Sequence, residues 1–210
     1  DAIEVLRYAR LSGGEWSFSI IDNTGNAGRY CSLALDRFGV AHVSYYDHFD
    51  RDLKYANNSH GSFFTTVVDR TGDVGKFTSI GLDPNGVVYV AYYDATNTNP
   101  KWAKMIDGEW TTQTLFSDPD SDVGRYVSLA VDGFGRVFIV FQDVAEQQIR
   151  FMYYSGSSWI ESGYMDAVYS GEASVAMGPE GEVHVAYFDL SWQDLRYATN
   201  DIWIRESLYS

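Results

Sequence analysis

SIGLDPNGVVYVAYYD, residues 79–94, reads as a hairpin: a short strand, an Asp-x-x-Gly turn, and a second strand ending in two tyrosines and an aspartate. In such a turn the Asp side chain bonds nearby backbone N–H groups and Gly takes positive φ. Nearly the same text stands at 32–47 (SLALDRFGVAHVSYYD), 128–143 (SLAVDGFGRVFIVFQD) and 174–189 (SVAMGPEGEVHVAYFD). The leading serines Ser32, Ser79, Ser128 and Ser174 lie 47, 49 and 46 residues apart. A second motif keeps the same step: Leu6-Arg7-Tyr8-Ala9, Leu53-Lys54-Tyr55-Ala56, Pro100-Lys101-Trp102-Ala103, Ile149-Arg150-Phe151-Met152 and Leu195-Arg196-Tyr197-Ala198. A fixed period running through the whole chain marks a repeat architecture.

Each repeat divides into four short strands, in the first full copy Ser32 to Asp36, Val40 to Tyr46, Leu53 to Asn57 and Phe63 to Val68. In the second of these, Ala41, Val43 and Tyr45 alternate with His42, Ser44 and Tyr46. Apolar groups therefore fall on both faces, as a sheet sandwiched between neighbours requires. The first-to-second link is the tight Asp-x-x-Gly turn. The third-to-fourth link is short and brings Gly before an aromatic residue, as in Gly14-Glu15-Trp16 and Gly108-Glu109-Trp110. Only the link from the fourth strand to the next first strand is long, and crossing from the outer edge of one sheet to the inner edge of the next demands that length.

The expected fold is all-β: a single five-bladed β-propeller of four-stranded blades, each about 47 residues long. The blades are placed at 32–69, 79–117, 128–165 and 174–210, with a half blade at 1–22 that carries only third and fourth strands. The missing first and second strands are compatible with a fragment of a longer protein, a partner chain that supplies the hairpin, or a ring closed with one two-stranded blade. Unpaired edges invite completion or association, so a homo-oligomer is among the outcomes.

The pattern S-x-A-x-D-x-x-G-x-x-H-V-x-Y-Y-D, followed by L-K/R-Y-A and G-x-W, resembles the repeats of bacterial extracellular propeller proteins, loosely termed sialidase-type. It is also similar to the tachylectin and fucose-lectin propellers, whose blades carry Gly-x-Trp before the outer strand. The resemblance covers the whole chain, and it implies an extracellular or cell-surface propeller. The sialidase Asp-box, S-x-D-x-G-x-x-W, does not occur in the sequence.

The chain of 210 residues is 45% hydrophobic and 16% aromatic, enough to bury a core. A formal charge of −14 excludes nucleic acid and anionic membranes as partners, because phosphate binding rests on Lys and Arg displacing counterions. No stretch approaches the roughly 18 apolar residues that span a bilayer. No signal-peptide pattern opens the chain, so a mature or trimmed soluble product is expected. The single cysteine, Cys31, is expected to pack as a small hydrophobe.

Strand direction places the four-to-one and two-to-three loops on one face of the disc, where ligands are sought. Three copies carry a cation and an aromatic ring there, Arg29-Tyr30, Lys76-Phe77 and Arg125-Tyr126, whereas the fourth has Gly171-Glu172-Ala173. The second strands end in Asp47, Asp94, Asp143 and Asp189, the first two preceded by Tyr46 and Tyr93. This ring of acids offers sugar hydroxyls a handle, but every third strand starts with a cation, and cross-strand ion pairing explains the acids equally. Phe49 and Trp192 break the symmetry of the two-to-three loops as exposed aromatics beside polar groups, the combination that recognises sugar rings. Asp118, Asp120 and Asp122, followed by Gly124, resemble the start of a calcium loop, so calcium is the one metal considered. His42 and His184 share a repeat position with Tyr89 and Phe138 and are read as packing residues. Phosphate-loop, Cys-x-x-Cys and nucleophilic-serine motifs are lacking.

These features favour a non-catalytic module that binds carbohydrate. The alternative is a structural or protein-interaction propeller. A glycosidase is disfavoured, because catalytic carboxylate pairs sit in unlike environments and these aspartates are near-equivalent.

Overall fold

The computed structural model of the protein describes residues 4–166, 170–178 and 180–199, and every regular element among them is a β-strand. The first sheet pairs β1 (Leu6–Ser12) with β2 (Glu15–Asp22). The second comprises β3 (Ala27–Leu35), β4 (Ala41–Asp47), β5 (Asp52–Asn57) and β6 (Phe64–Asp69). The third comprises β7 (Val74–Leu82), β8 (Val88–Asp94), β9 (Asn99–Ile106) and β10 (Glu109–Thr114). The fourth comprises β11 (Val123–Val131), β12 (Val137–Asp143), β13 (Gln148–Tyr154) and β14 (Trp159–Asp166). The fifth comprises β15 (Ser170–Met177), β16 (Val183–Asp189) and β17 (Asp194–Thr199). All neighbours within a sheet are antiparallel and follow chain order.

This is a β-propeller. The long links lead from one sheet to the next, and apolar clusters lie between successive sheets rather than within one. Leu53 and Tyr55 of the second sheet meet Val74, Ile80, Val88, Val90 and Tyr92 of the third, and Tyr89, Ala91 and Trp102 of the third meet Leu129, Ile139 and Phe141 of the fourth. Strands β4, β8 and β12 are buried at every position, which explains the apolar residues on both their faces. The complete four-stranded unit occurs three times among the described residues, so the count of five blades is an expectation of the sequence rather than an observed feature. The fourth strand expected for the last sheet falls at 200–210, outside the described residues.

The repeated serines knit the sheets together at the inner strands. Ile80, Leu129 and Val175 each donate a backbone N–H to the Oγ of Ser32, Ser79 and Ser128 of the preceding sheet, at 3.2, 3.0 and 3.2 Å. The Asp-x-x-Gly turns form as expected, with the Asp36 carboxylate accepting from the N–H groups of Phe38 and Val40 at 2.9 and 2.8 Å.

Two expectations are corrected. The inner strands start earlier than read: β3 begins at Ala27 and β7 at Val74, because a bulge interrupts the pairing without ending it. At this bulge Gly75 takes φ +105°, and a Cβ there would lie 2.8 Å from the Leu53 Cα, so only glycine fits. Cys31 is exposed instead of packed. Its repeat equivalents Thr78 and Val127 are buried against the preceding sheet, whereas among the described residues the first sheet has no strands that cover Cys31.

Candidate functional site

The loops that follow the second strands and those that precede the inner strands share one face, as expected, and bond to each other there. Ala95 donates its N–H to the Asp73 carbonyl at 2.8 Å, and Val144 does so to the Asp122 carbonyl at 3.0 Å.

On this face two of the clefts between sheets are filled by the repeat itself. Between the second and third sheets, the Tyr46 hydroxyl donates to Asp73 Oδ1 at 2.8 Å and Lys76 Nζ to Asp73 Oδ2 at 2.7 Å, with the ammonium 5.5 Å from the Tyr46 ring centroid. Between the third and fourth sheets, Tyr93 donates to Asp122 Oδ1 at 2.7 Å and Arg125 Nη2 lies 2.5 Å from Asp122 Oδ2. The electrostatics fit two closed plugs. Burial disfavours the Asp73 charge, yet the bonds from Lys76 and Tyr46 outweigh it and hold the carboxyl below its ordinary value. Burial, then the bond to Asp122, pushes Tyr93 up to about 12, so it stays a donor.

The cleft between the fourth and fifth sheets is built differently. Gln142 occupies the position of Tyr46 and Tyr93, and Gly171-Glu172 replaces the cation and aromatic pair. Without those side chains a pocket of about 390 Å³ opens, lined by Arg125 and Tyr126 from β11, Gln142 from β12, Glu172 from β15, and Phe188 and Leu190 at the end of β16. It combines a guanidinium, an amide and a carboxylate with two rings and an aliphatic group.

Toward the axis runs an arc of rings. Tyr30, Phe77 and Tyr126 hold equivalent bulge positions at φ of 52°, 54° and 52°, and successive ring centroids are 4.7 Å apart. Three bulky residues in the left-handed region store backbone strain, which persists where the surroundings over-determine it.

The sequence-derived candidates separate into three groups. Phe49 and Trp192 are exposed at 79% and 70% in two-to-three loops on this face, and Trp192 lies two residues past Leu190 of the pocket. Arg125 lines the pocket, while Arg29 on the second sheet faces Glu4 at 3.6 Å. Tyr46, Tyr93 and the aspartates are committed within the fold. Asp47 accepts the N–H groups of Phe49 and Asp50 at 2.9 and 3.2 Å and the Lys54 ammonium at 2.5 Å. Asp94 accepts from Thr96 and Asn97, and Asp189 accepts from Ser191 and pairs with Arg196 at 2.7 Å. The expected pairing of each acid with its own sheet's cation fails once: Lys101 reaches across to Asp69 of the preceding sheet at 2.5 Å. Asp118, Asp120 and Asp122 are not gathered as calcium ligands. Asp122 is turned to Tyr93 and Arg125, Asp118 accepts the Asp120 N–H at 3.1 Å, and no metal-ligating cluster of three such residues occurs among the described residues. Sequence reading did not single out Gln142 or Phe188. The signal was the break in the repeat column Tyr46, Tyr93, Gln142, Phe188.

No protein-family model and no curated protein matches the sequence. Solved structures do match the fold. A Dyadobacter fermentans protein of unknown function superposes with a TM-score of 0.63 at 13% identity, over 84% of this chain and 66% of that one. The Aleuria aurantia lectin in complex with Fucα1-6GlcNAc gives 0.60 at 15% identity, over 91% of this chain and 66% of the lectin. The leech intramolecular trans-sialidase gives 0.59 at 15% identity, over 94% of this chain and 36% of the enzyme. The chain thus spans two thirds or less of each of these proteins. The trans-sialidase corrects the expectation of a chain without catalysis: the architecture is shared by an enzyme as well as by a lectin, so a firm exclusion of enzymatic activity does not stand. The chain's architecture is that of the lectin-like and sialidase-like β-propellers.

Proposed function

We propose that this protein is a carbohydrate-binding β-propeller of a secreted or cell-surface type, five-bladed when its ring is complete, whose site is the open cleft between the fourth and fifth sheets. One observation carries the reading: where two clefts are plugged by tyrosine, aspartate and a cation, the third replaces the tyrosine with Gln142 and leaves a pocket. Sugar recognition combines an apolar platform for the ring face with convergent polar groups for the hydroxyls. Tyr126 and Phe188 supply the platform. Arg125 is fixed by Asp122 through Nη2 and has further N–H donors, Glu172 accepts, and Gln142 does both. Trp192, two residues past Leu190, and Phe49 on the same face are available to extend contact along a longer glycan.

A glycan array followed by calorimetric titration tests this. The expected result is saturable binding that weakens about tenfold, or about 1.4 kcal/mol, in Arg125→Ala. Absence of binding to every glycan at millimolar concentration would overturn it. Assaying the bound glycans for turnover in the same experiment addresses the enzymatic side of the shared architecture.

A further inference from the structure

We propose that the pocket between the fourth and fifth sheets selects saccharides that carry a protonated amine and rejects carboxylated ones, and that Asp122, in the neighbouring plug, sets this preference. The inference rests on reading that pocket as a carbohydrate site, and it adds the charge of the sugar that fits.

An arginine beside a sugar ordinarily invites an acidic one, because its fork of N–H donors matches a carboxylate. Arg125 already holds a carboxylate of its own. Its Nη2 lies 2.5 Å from Asp122 Oδ2, and the Tyr93 hydroxyl donates to Asp122 Oδ1 at 2.7 Å, which fixes how the acid is presented. The bond to Asp122 raises the pKa of the guanidinium while burial works the other way, so Arg125 stays charged and held. Taken together the pair is neutral. The same unit recurs as Lys76 and Asp73 beside Tyr46, where it fills a cleft and no more. At Arg125 it has a second consequence, since this side chain also lines the pocket.

With Arg125 neutralised, the outstanding charge of the pocket is Glu172. This carboxylate is exposed and forms no ion pair or hydrogen bond among the described residues, and every lining residue other than these two is uncharged. Tyr126 and Phe188 add aromatic rings, whose faces attract an ammonium group and repel a carboxylate. The formal charge of −14 acts in the same sense at longer range, raising the local concentration of cationic ligands. An ammonium on the sugar therefore finds Glu172 as its partner, whereas a carboxylate meets Glu172 with no unpaired cation in the lining to offset it.

The test titrates the full chain with β-linked oligomers of glucosamine, N-acetylglucosamine and glucuronate of equal length, at about pH 6, where amines are protonated and carboxylates ionised. The glucosamine oligomer should bind at least about tenfold more tightly than the glucuronate oligomer, with the neutral one between them. Asp122→Asn keeps an acceptor for Tyr93 but leaves the Arg125 charge unopposed, and it should cut that ratio at least about tenfold. Glu172→Gln should cut it about threefold or more, and about 1 M salt, with its Debye length of about 3 Å, should shrink it in every variant. Asp73→Asn makes the identical change in the plug whose cation does not line the pocket, and it should leave the ratio where it was. Glucuronate bound as tightly as glucosamine, a ratio unmoved by Asp122→Asn, or equal shifts from the two aspartates would each overturn the proposal. Failure of all three oligomers while other glycans on the array bind would overturn the charge preference and leave the carbohydrate site standing. No binding to any glycan would overturn the site and the preference together.

Discussion

The cleft between the third and fourth sheets and the cleft between the fourth and fifth are the same place in the repeat, yet the first is filled by its own side chains and the second is open. Tyr93, Asp122 and Arg125 close the one. In the other, Gln142 stands in the tyrosine's place and Gly171-Glu172 in that of the cation and aromatic pair, so Arg125 and Tyr126 line a hollow. Regularity in this chain serves stability, and departures from it mark where binding becomes possible. Identical columns build plugs, ion pairs and the serine ladder. The broken column leaves an open pocket.

Lys101 and Asp69 are both buried and bonded across two sheets at 2.5 Å, so Lys101→Met strands a buried carboxylate. Removing one partner of such a pair costs about 3–5 kcal/mol. Urea unfolding should show that loss while glycan affinity, measured on the folded fraction, is unchanged. On the binding side, Gln142→Tyr restores the residue of the plugged clefts and should cut glycan affinity by about tenfold or more. The same variant should leave the urea midpoint nearly in place, which separates a filled site from a damaged fold. Tyr46→Phe removes one hydroxyl from the plug between the second and third sheets, for about 1 kcal/mol, and should not alter glycan binding.

The smallest effect is in acid. Burial works against the charge on Asp69, but the bonds from Lys101, Tyr92 and Thr71 prevail and lower its pKa. A carboxyl with a depressed folded-state pKa contributes stability that is present above its unfolded value, about 3.9, and lost as pH falls through the folded value. Asp69→Asn should therefore flatten the dependence of stability on pH below about 4. An unchanged slope would remove Asp69 from the ion-pair account.

Much of the architecture was legible because a period near 47 residues and the position of the long links are global properties that no single residue can hide. The first turn of each inner strand was not. Gly28-Arg29-Tyr30 and its copies read as loop because glycine and a residue of positive φ punctuate strands, yet the ladder resumes past the bulge. Cys31 was misplaced for another reason: burial there depends on strands that belong to the preceding sheet, and local pattern cannot report a missing neighbour. Within the site, Arg125 was read from its motif. Gln142 was passed over because a glutamine between apolar neighbours carries no chemical signature, and only comparison down the repeat column reveals it.

The most direct measurement is a crystal structure of the protein with a glycan selected on the array. The account predicts the sugar ring seated between the fourth and fifth sheets, against Tyr126 or Phe188, with hydroxyls bonded to Arg125 and Glu172. A glycan held instead at the clefts closed by Tyr46 and Tyr93, or on the opposite face of the disc, would contradict it.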